Sequence, residues 1–292
     1  MFTKKQFYVL ITFFFLLSAF RSDMPAYQLY NQKGKRTNFK RLVKEATKAD
    51  IVFFGELHNN PISHWLQLEL TQALYEIHGS QLVLGAEMVE TDNQEDLNLY
   101  LADQIDADSL KASARLWANY QTDYKPLVEL AKTNNLKFIG TNVPRRYASL
   151  VFRGGFEVLD TLPDTDKQWI APLPIDYDPN LPSYLEMMEM MGGMGAGHAN
   201  PNLPKAQAIK DATMAHFTLE NWAPGKLVIH YNGAYHSDNF EGIVWYLKNQ
   251  NPDLKIVTIT TVEQVEIDEL EEENTGTANF TICVPEDMTK TY

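Results

Sequence analysis

The side chains best suited to chemistry in this chain are carboxylates and imidazoles that directly follow short apolar runs. Glu56 and His58 follow the first such run, and His64 lies a few residues further on. Glu87 follows a second run, and His236 follows a third. Carboxylates and imidazoles bind divalent cations or exchange protons with a substrate. Glu56, His58, Glu87 and His236 are therefore the candidate catalytic residues, and Glu56, His58 and His236 are the candidate metal ligands.

Each of these residues also has a purely structural interpretation. Glu56 could cap the following helix, and His58 could be a loop histidine whose hydrogen bonds are satisfied. Glu87 would need a partner for its buried charge, and His58, His236 or Arg145 could form that ion pair. The spacing differs from the HExxH pattern of helical zinc sites, so the local motif does not identify the chemistry by itself.

The apolar runs predict the strands of a parallel sheet. They cover residues 51–54, 82–84, 137–139 and 227–229, and helical stretches separate them. Short runs of this kind are typical of strands that are buried on both faces. In open α/β sheets, ligands bind beyond the carboxyl ends of the strands. The sequence therefore predicts a three-layer α/β fold, in which helices flank a largely parallel central sheet and the candidate residues share one edge.

The N-terminus predicts an export signal over residues 1–22, followed by a single α/β domain over residues 23–292. Lys4 and Lys5 precede an apolar run over residues 7–20 that is short for a membrane-spanning helix. The alternative is an uncleaved N-terminal anchor, which is the only membrane attachment that the sequence predicts. The expected location is outside the cytoplasm, in the periplasm or associated with the cell envelope.

Composition limits the classes of partner. The net charge is -13, and 45% of the residues are hydrophobic. Such acidity argues against nucleic acid or an anionic membrane surface as a partner, which leaves a small-molecule ligand. Cys283 is the only cysteine, so the chain has no intrachain disulfide and no lipid-modified cysteine near its N-terminus. Because Cys283 lies in an alternating late strand, we expect it to be buried and unreactive.

A Met- and Pro-rich insertion is predicted over residues 163–204. It holds seven of the fourteen prolines and a methionine run over residues 187–194. Methionine adapts to large flat apolar ligands, and Met or His can ligate iron. Met191 and His198 are therefore candidate cofactor-binding residues. The alternative is that these methionines pack on the core and bind nothing.

At these residues the sequence resembles the ChaN-like haem-binding proteins, a branch of the Tiki/TraB superfamily, over residues 51–247. Five blocks carry the resemblance in order: Gly55, Glu56, His58, His64 and Gln67; Gly85, Glu87, Met88, Gln94 and Leu97; residues 142–145; Gln207, Asp211, Met214 and Ala215; Gly233 and His236. The chain departs from the family at the last block, where residues 232–236 replace a Gly-Asn-Gly-His motif. Many members are lipoproteins, and this chain lacks the required cysteine.

The resemblance implies an exported protein of haem and iron acquisition, with a haem slot within one chain or across a homodimer. The candidate cofactor-binding residues are His64, Arg145, Tyr147, Met191, His198 and His216. The candidate axial ligands are Tyr147, Tyr184, Tyr235, His198 and His216. The alternative is a metal-dependent hydrolase of the Tiki/erythromycin-esterase-like group, in which a divalent cation held by Glu56, His58, Glu87 and His236 lowers the pKa of a bound water. A third alternative is an extracellular binding module without a cofactor.

Overall fold

The computed structural model describes residues 25–192 and 200–292, except for the side chains of residues 191 and 192. Its centre is a seven-stranded sheet with the order β1-β7-β6-β2-β5-β3-β4. Every neighbouring pair is parallel except β1 and β7. The strands are β1 (Gln28–Asn31), β2 (Ile51–Glu56), β3 (Leu82–Glu90), β4 (Lys137–Asn142), β5 (Leu227–Gly233), β6 (Ile256–Gln264) and β7 (Phe280–Pro285). The predicted export signal over residues 1–22 lies outside the described residues.

Helices cover both faces of this sheet, which confirms the predicted three-layer α/β fold. The α-helices are α1 (Phe39–Ala46), α2 (Pro61–His78), α3 (Gln94–Leu101), α4 (Ala107–Ser113), α5 (Lys125–Thr133), α6 (Arg145–Gly154), α7 (Asp164–Lys167), α8 (Pro182–Gly192), α9 (Leu203–Asn221) and α10 (Ile243–Gln250). Helices α1 to α5 pack on one face of the sheet, and α6, α9 and α10 pack on the other.

The apolar strands are buried on both faces because each face has its own helical layer. In β2, Val52 and Phe54 join the core on one side, whereas Ile51 and Phe53 join the core on the other. All six residues of β2 are buried. The near-continuous apolar pattern is therefore required by the packing, since neither face meets water.

Local signals set where the helices begin and end. The side chain of Asn60 accepts hydrogen bonds from the backbone N–H groups of Ile62 and Ser63, and Pro61 opens α2. Helix α10 begins at Ile243, later than the residue 239 that the pattern predicts. Asn239 and Phe240 have φ angles of 57° and 59°, which a continuous right-handed helix cannot accommodate.

The described part of the 163–204 insertion packs against the α9–α10 side of the domain. Ile170 and Ile175 enter the core there, and the backbone oxygen of Asp176 accepts a hydrogen bond of 2.6 Å from the hydroxyl of Tyr246. Cys283 is fully buried in β7, as predicted. Within the described ranges, no helix has the length and apolarity needed to cross a bilayer.

Candidate functional site

The predicted strand-end residues meet at one edge of the sheet. Strands β2, β5, β3 and β4 are direct neighbours and parallel, so their carboxyl ends lie side by side. This order places Glu56, Glu87 and His236 around the end of β5. We call Glu56, His58, Glu87, Asp211 and His236 the strand-end site.

Glu56 is the centre of a buried hydrogen-bond network. Only 1% of its surface is exposed. One carboxylate oxygen accepts from the hydroxyl of Tyr124 at 2.6 Å and lies 2.8 Å from Nδ1 of His58. The other oxygen accepts from Nε2 of Gln67 at 2.5 Å. Three donors thus satisfy a carboxylate that would otherwise be costly to bury.

His58 connects this network to solvent. Its side chain is 38% exposed, and its ring lies edge-on to Trp117 with centroids 4.9 Å apart. Although burial favours the neutral ring, the hydrogen bond to Glu56 raises the pKa of His58 above its usual value. Because Glu56 accepts from Nδ1, the neutral imidazole carries its lone pair on Nε2. The His58 side chain is therefore held in one tautomer, with its accepting Nε2 next to Gly233.

Gly233 makes room for that nitrogen. A Cβ atom at position 233 would lie 2.8 Å from Nε2 of His58, closer than such atoms approach. The backbone N–H of Gly233 donates to the Glu87 carboxylate at 2.7 Å. One glycine thus orders Glu87 and admits the His58 ring.

His64 forms hydrogen bonds that hold the His58 loop in place. Its Nε2 lies 3.0 Å from the backbone oxygen of His58, and Nδ1 lies 3.2 Å from the side-chain oxygen of Gln67. Asn119 also donates to the backbone oxygen of His58, at 3.0 Å. His64 is buried, so its observed contacts position the His58 loop.

Glu87, His236 and Asp211 form a buried ion triad. Nδ1 of His236 lies 2.5 Å from Asp211, and Nε2 lies 3.3 Å from Glu87. Burial alone would favour a neutral ring, but the two carboxylates raise the pKa of His236 to about 10. His236 holds the pKa of Glu87 well below its usual range despite burial. Burial raises the pKa of Asp211. The raised pKa favours the protonated ring between these two carboxylates.

A cavity of about 490 Å³ opens at the same edge of the sheet. His58 does not line it but contacts Trp117 and Asn119, which do, and the Glu90 carboxylate is also part of the lining. Arg115 and Arg145 line the cavity, together with Trp117, Asn119 and other residues. Arg115 pairs with Glu90 at 2.8 Å. The guanidinium of Arg145 forms no salt bridge with the described residues, whereas its backbone N–H donates to Glu90. The cavity therefore combines an aromatic wall with one paired and one available guanidinium.

The other predicted cofactor residues lie elsewhere. Tyr147 is buried, and its hydroxyl accepts from Arg146. His216 lines a separate cavity of about 280 Å³ that the insertion and α10 form. The structure does not bring Tyr147 or His216 to the strand-end site. His198 and the side chain of Met191 lie outside the described residues.

Two further candidates for the axial ligand are engaged by other groups or enclosed. The hydroxyl of Tyr235 donates to the backbone oxygen of Ser183. Tyr184 is buried with 2% of its surface exposed. Neither lines the cavity beside His58.

The predicted divalent-metal site finds no support in the geometry. Across the described ranges, no three His, Cys, Asp or Glu side chains are arranged to hold a metal ion. The physical reason lies in the pairing of the candidate ligands. His236 lies between two carboxylates, with Nδ1 next to Asp211 and Nε2 next to Glu87, and Glu56 accepts from three donors.

Several site residues were not assigned a role from the sequence. Asp211 and Gln207 both contact His236 from α9, and their spacing of four residues on a buried helix face was an available signal. Tyr124, Trp117 and Arg115 come from the segment between α4 and α5, where no periodicity or motif marks them.

The fold and this edge define a class: α/β proteins with a Gly-Glu-x-His loop after one central strand and a histidine after its neighbour. A family model described as haem-binding uptake, Tiki superfamily, ChaN matches residues 42–247. The chain belongs to this family, which confirms the resemblance. No curated protein matches it in sequence.

The chain is similar to several solved structures, of which the first shares the fold. One, described as cofacial haem binding to ChaN of Campylobacter jejuni, is 18% identical with a TM-score of 0.66, and the alignment covers 88% of this chain and 96% of that chain. A MARTX toxin effector domain from Vibrio vulnificus is 14% identical with a TM-score of 0.43, over 86% and 40% of the two chains. An erythromycin esterase mutant, EreC, is 11% identical with a TM-score of 0.45, over 89% and 83%.

Proposed function

We propose that this protein binds haem at the strand-end edge and serves haem uptake outside the cytoplasm. The single observation that carries the proposal is the cavity beside His58. Its aromatic wall suits a flat apolar macrocycle, and its guanidinium groups suit carboxylates such as the haem propionates. Membership of the haem-binding family supports the same ligand.

The residues around the cavity fit haem by their chemistry. Arg145 would pair with a propionate because no described carboxylate already holds its guanidinium. Trp117 would contact the macrocycle, and the accepting Nε2 of His58 is an atom type that ligates haem iron. Bound haem would supply iron as cargo or as a redox centre. Glu56 would hold the His58 ring in position whether or not haem is present.

Haemin titration followed by the Soret absorbance tests this proposal. We expect saturable binding by the full chain, and weaker binding after Arg145→Ala or His58→Ala. Arg153→Ala is the matched control, since Arg153 lies at the other end of α6 and is exposed. Absence of saturable binding would refute the function, whereas equal losses in Arg145→Ala and Arg153→Ala would refute the cavity as its site.

Export and iron acquisition are part of the proposal. Export rests on the N-terminal sequence, and iron acquisition rests on the family. Fractionation of cells that express the full chain should place it outside the cytoplasm. A homodimer stays a prediction, which sedimentation with and without haemin would test. The metal-dependent hydrolase also stays a prediction, and no observation in the site favours it.

A further inference from the structure

The positive charge of this acidic protein is concentrated at the end of the sheet opposite the strand-end site. Residues 32–48 contain seven Lys or Arg residues and one Glu, although the whole chain has a net charge of -13. The parallel topology places four lysines at the same end, one of which, Lys48, is among these seven. Each lies before or at the amino end of a parallel strand: Lys48 before β2, Lys137 in β4, Lys226 before β5 and Lys255 before β6. We call this surface the amino-end face.

Two of the acidic groups at this end are already engaged. Glu45 pairs with Lys48 at 2.9 Å. The Asp50 carboxylate accepts from the backbone N–H of Lys255 at 2.8 Å. Residues 32–48 thus carry a surplus of positive charge, although Arg36 pairs with Asp268 and the exposed Glu271, Glu272 and Glu273 precede β7.

The amino-end face contains a cavity of about 400 Å³ between β1 and α1. Lys33 and Arg41 line it, and neither forms a salt bridge with the described residues. Glu45 also lines it, and its carboxylate is paired with Lys48. Asn279 also lines it and uses its side-chain oxygen to accept from Thr258 at 2.9 Å, which leaves its NH2 group to donate. Val257 and Phe280 add an apolar wall.

This combination has the chemistry of a phospholipid head group site. An ammonium, a guanidinium and an amide are donors to phosphate oxygens. The apolar wall suits the glycerol and the first part of an acyl chain, and a free phosphate would leave that wall unused. The surrounding lysines add long-range attraction to a negative surface, worth roughly 1 kcal/mol for each one near the bilayer.

The chain outside the described residues is compatible with a nearby bilayer. The apolar run of residues 7–20 ends eight residues before β1. Eight extended residues reach about 26 Å, and the four residues of β1 span about 13 Å. The run and the amino-end face can therefore engage the same membrane.

We propose that the amino-end face binds anionic phospholipid, with one phosphate head group in the cavity between Lys33 and Arg41. The domain then rests on the membrane with the strand-end edge turned away from it, open to ligand. This contact is independent of haem binding and of the metal prediction.

Vesicle co-sedimentation of the full chain tests this proposal. Binding to vesicles of phosphatidylcholine alone measures any contribution of residues 1–24 to membrane affinity. The additional affinity for vesicles that also contain phosphatidylglycerol is the charge-dependent increment. We expect a clear increment that falls with salt. Lys33→Gln/Arg41→Gln should reduce the increment by about thirtyfold, from roughly 1 kcal/mol for each basic residue.

The matched control is Lys111→Gln/Lys167→Gln, which removes the same charge from α4 and α7. It should retain the increment to within about twofold. Equal losses in the two double variants would overturn the proposal in favour of a net-charge effect. No phosphatidylglycerol increment would also overturn it. Displacement by inorganic phosphate at matched ionic strength would overturn it in favour of a free-phosphate site. Circular dichroism and unchanged haemin binding establish that the variants are folded.

Discussion

The buried triad of Glu87, His236 and Asp211 leads to a prediction about stability. Replacing His236 by Gln removes the cation between two buried carboxylates but keeps a polar side chain of similar size. Breaking a buried ion pair by removing one partner costs about 3–5 kcal/mol. We therefore expect the free energy of unfolding at pH 7 to fall by that amount and the thermal midpoint to fall by about 10 °C.

The pKa of His236 gives a second route to the same magnitude. It lies at about 10, against 6.5 for an unperturbed imidazole. That difference corresponds to about 5 kcal/mol of stability. Because the pKa is raised on folding, the contribution is fully present below pH 6.5 and is lost as the pH rises towards about 10. The lowered pKa of Glu87 affects stability at acidic pH, where its stabilising contribution is lost as the pH falls below 4.5.

Urea unfolding of the wild type and His236→Gln between pH 6 and pH 9.5 is the appropriate assay. The wild type should lose stability steadily through this range, and the difference between the two proteins should shrink as the pH rises. His216→Gln is the matched control, because its 3.5 Å pair with the half-exposed Glu220 is worth less than about 1 kcal/mol. A His236→Gln variant within about 1 kcal/mol of the wild type at pH 7 would refute the charged triad.

Two further substitutions probe the Glu56–His58 network. Gly233→Ala places a methyl group 2.8 Å from Nε2 of His58, so the ring must move. Haemin should therefore bind at least several-fold more weakly to this variant. An unchanged affinity would show that His58 does not contribute to haemin binding. Tyr124→Phe removes one donor from buried Glu56 and should lower the free energy of unfolding by about 1–3 kcal/mol in urea titrations. Tyr120→Phe is the control within the same segment, and equal effects of the two changes would contradict the assigned hydrogen bond.

The order of the central strands could be anticipated only in part. Four apolar runs with polar ends predict a parallel sheet and a shared edge, and β2, β5, β3 and β4 are indeed adjacent. The antiparallel pairing of β1 with β7 joins residues more than 240 positions apart, which no local pattern predicts. Helix α10 was predicted too early because Asn239 and Phe240 adopt left-handed backbone angles. Outside glycine, the sequence carries no strong signal for a positive φ at a single residue.

The candidate site likewise contains some residues that the sequence could predict and others that it could not. Glu56, Glu87 and His236 could be found because each directly follows a strand, where parallel topology determines position. Tyr124, Trp117 and Arg115 could not, because their place depends on how the segment between α4 and α5 folds back over β2 and β3. Of the three partners that the sequence leaves open for Glu87, His236 lies within 3.3 Å of its carboxylate. The second carboxylate on that histidine changes its chemistry, since a ring held between two anions keeps its proton.

The same topology distributes charge unevenly between the two ends of the sheet. In a parallel sheet, the residues that precede the strands lie at one end and the residues that follow them lie at the other end. Here lysines precede or open four strands, and carboxylates close or follow β2 and β3. A chain with a net charge of -13 therefore has one end able to attract anions and another whose carboxylates are mostly consumed by His236, His58 and Tyr124. Under the proposed function, an anionic ligand such as haem would approach the second end because the Arg145 guanidinium is available there. Arg145→Glu should therefore oppose haemin binding more strongly than Arg145→Ala, and equal affinities of these two variants would show that charge at this position plays no part.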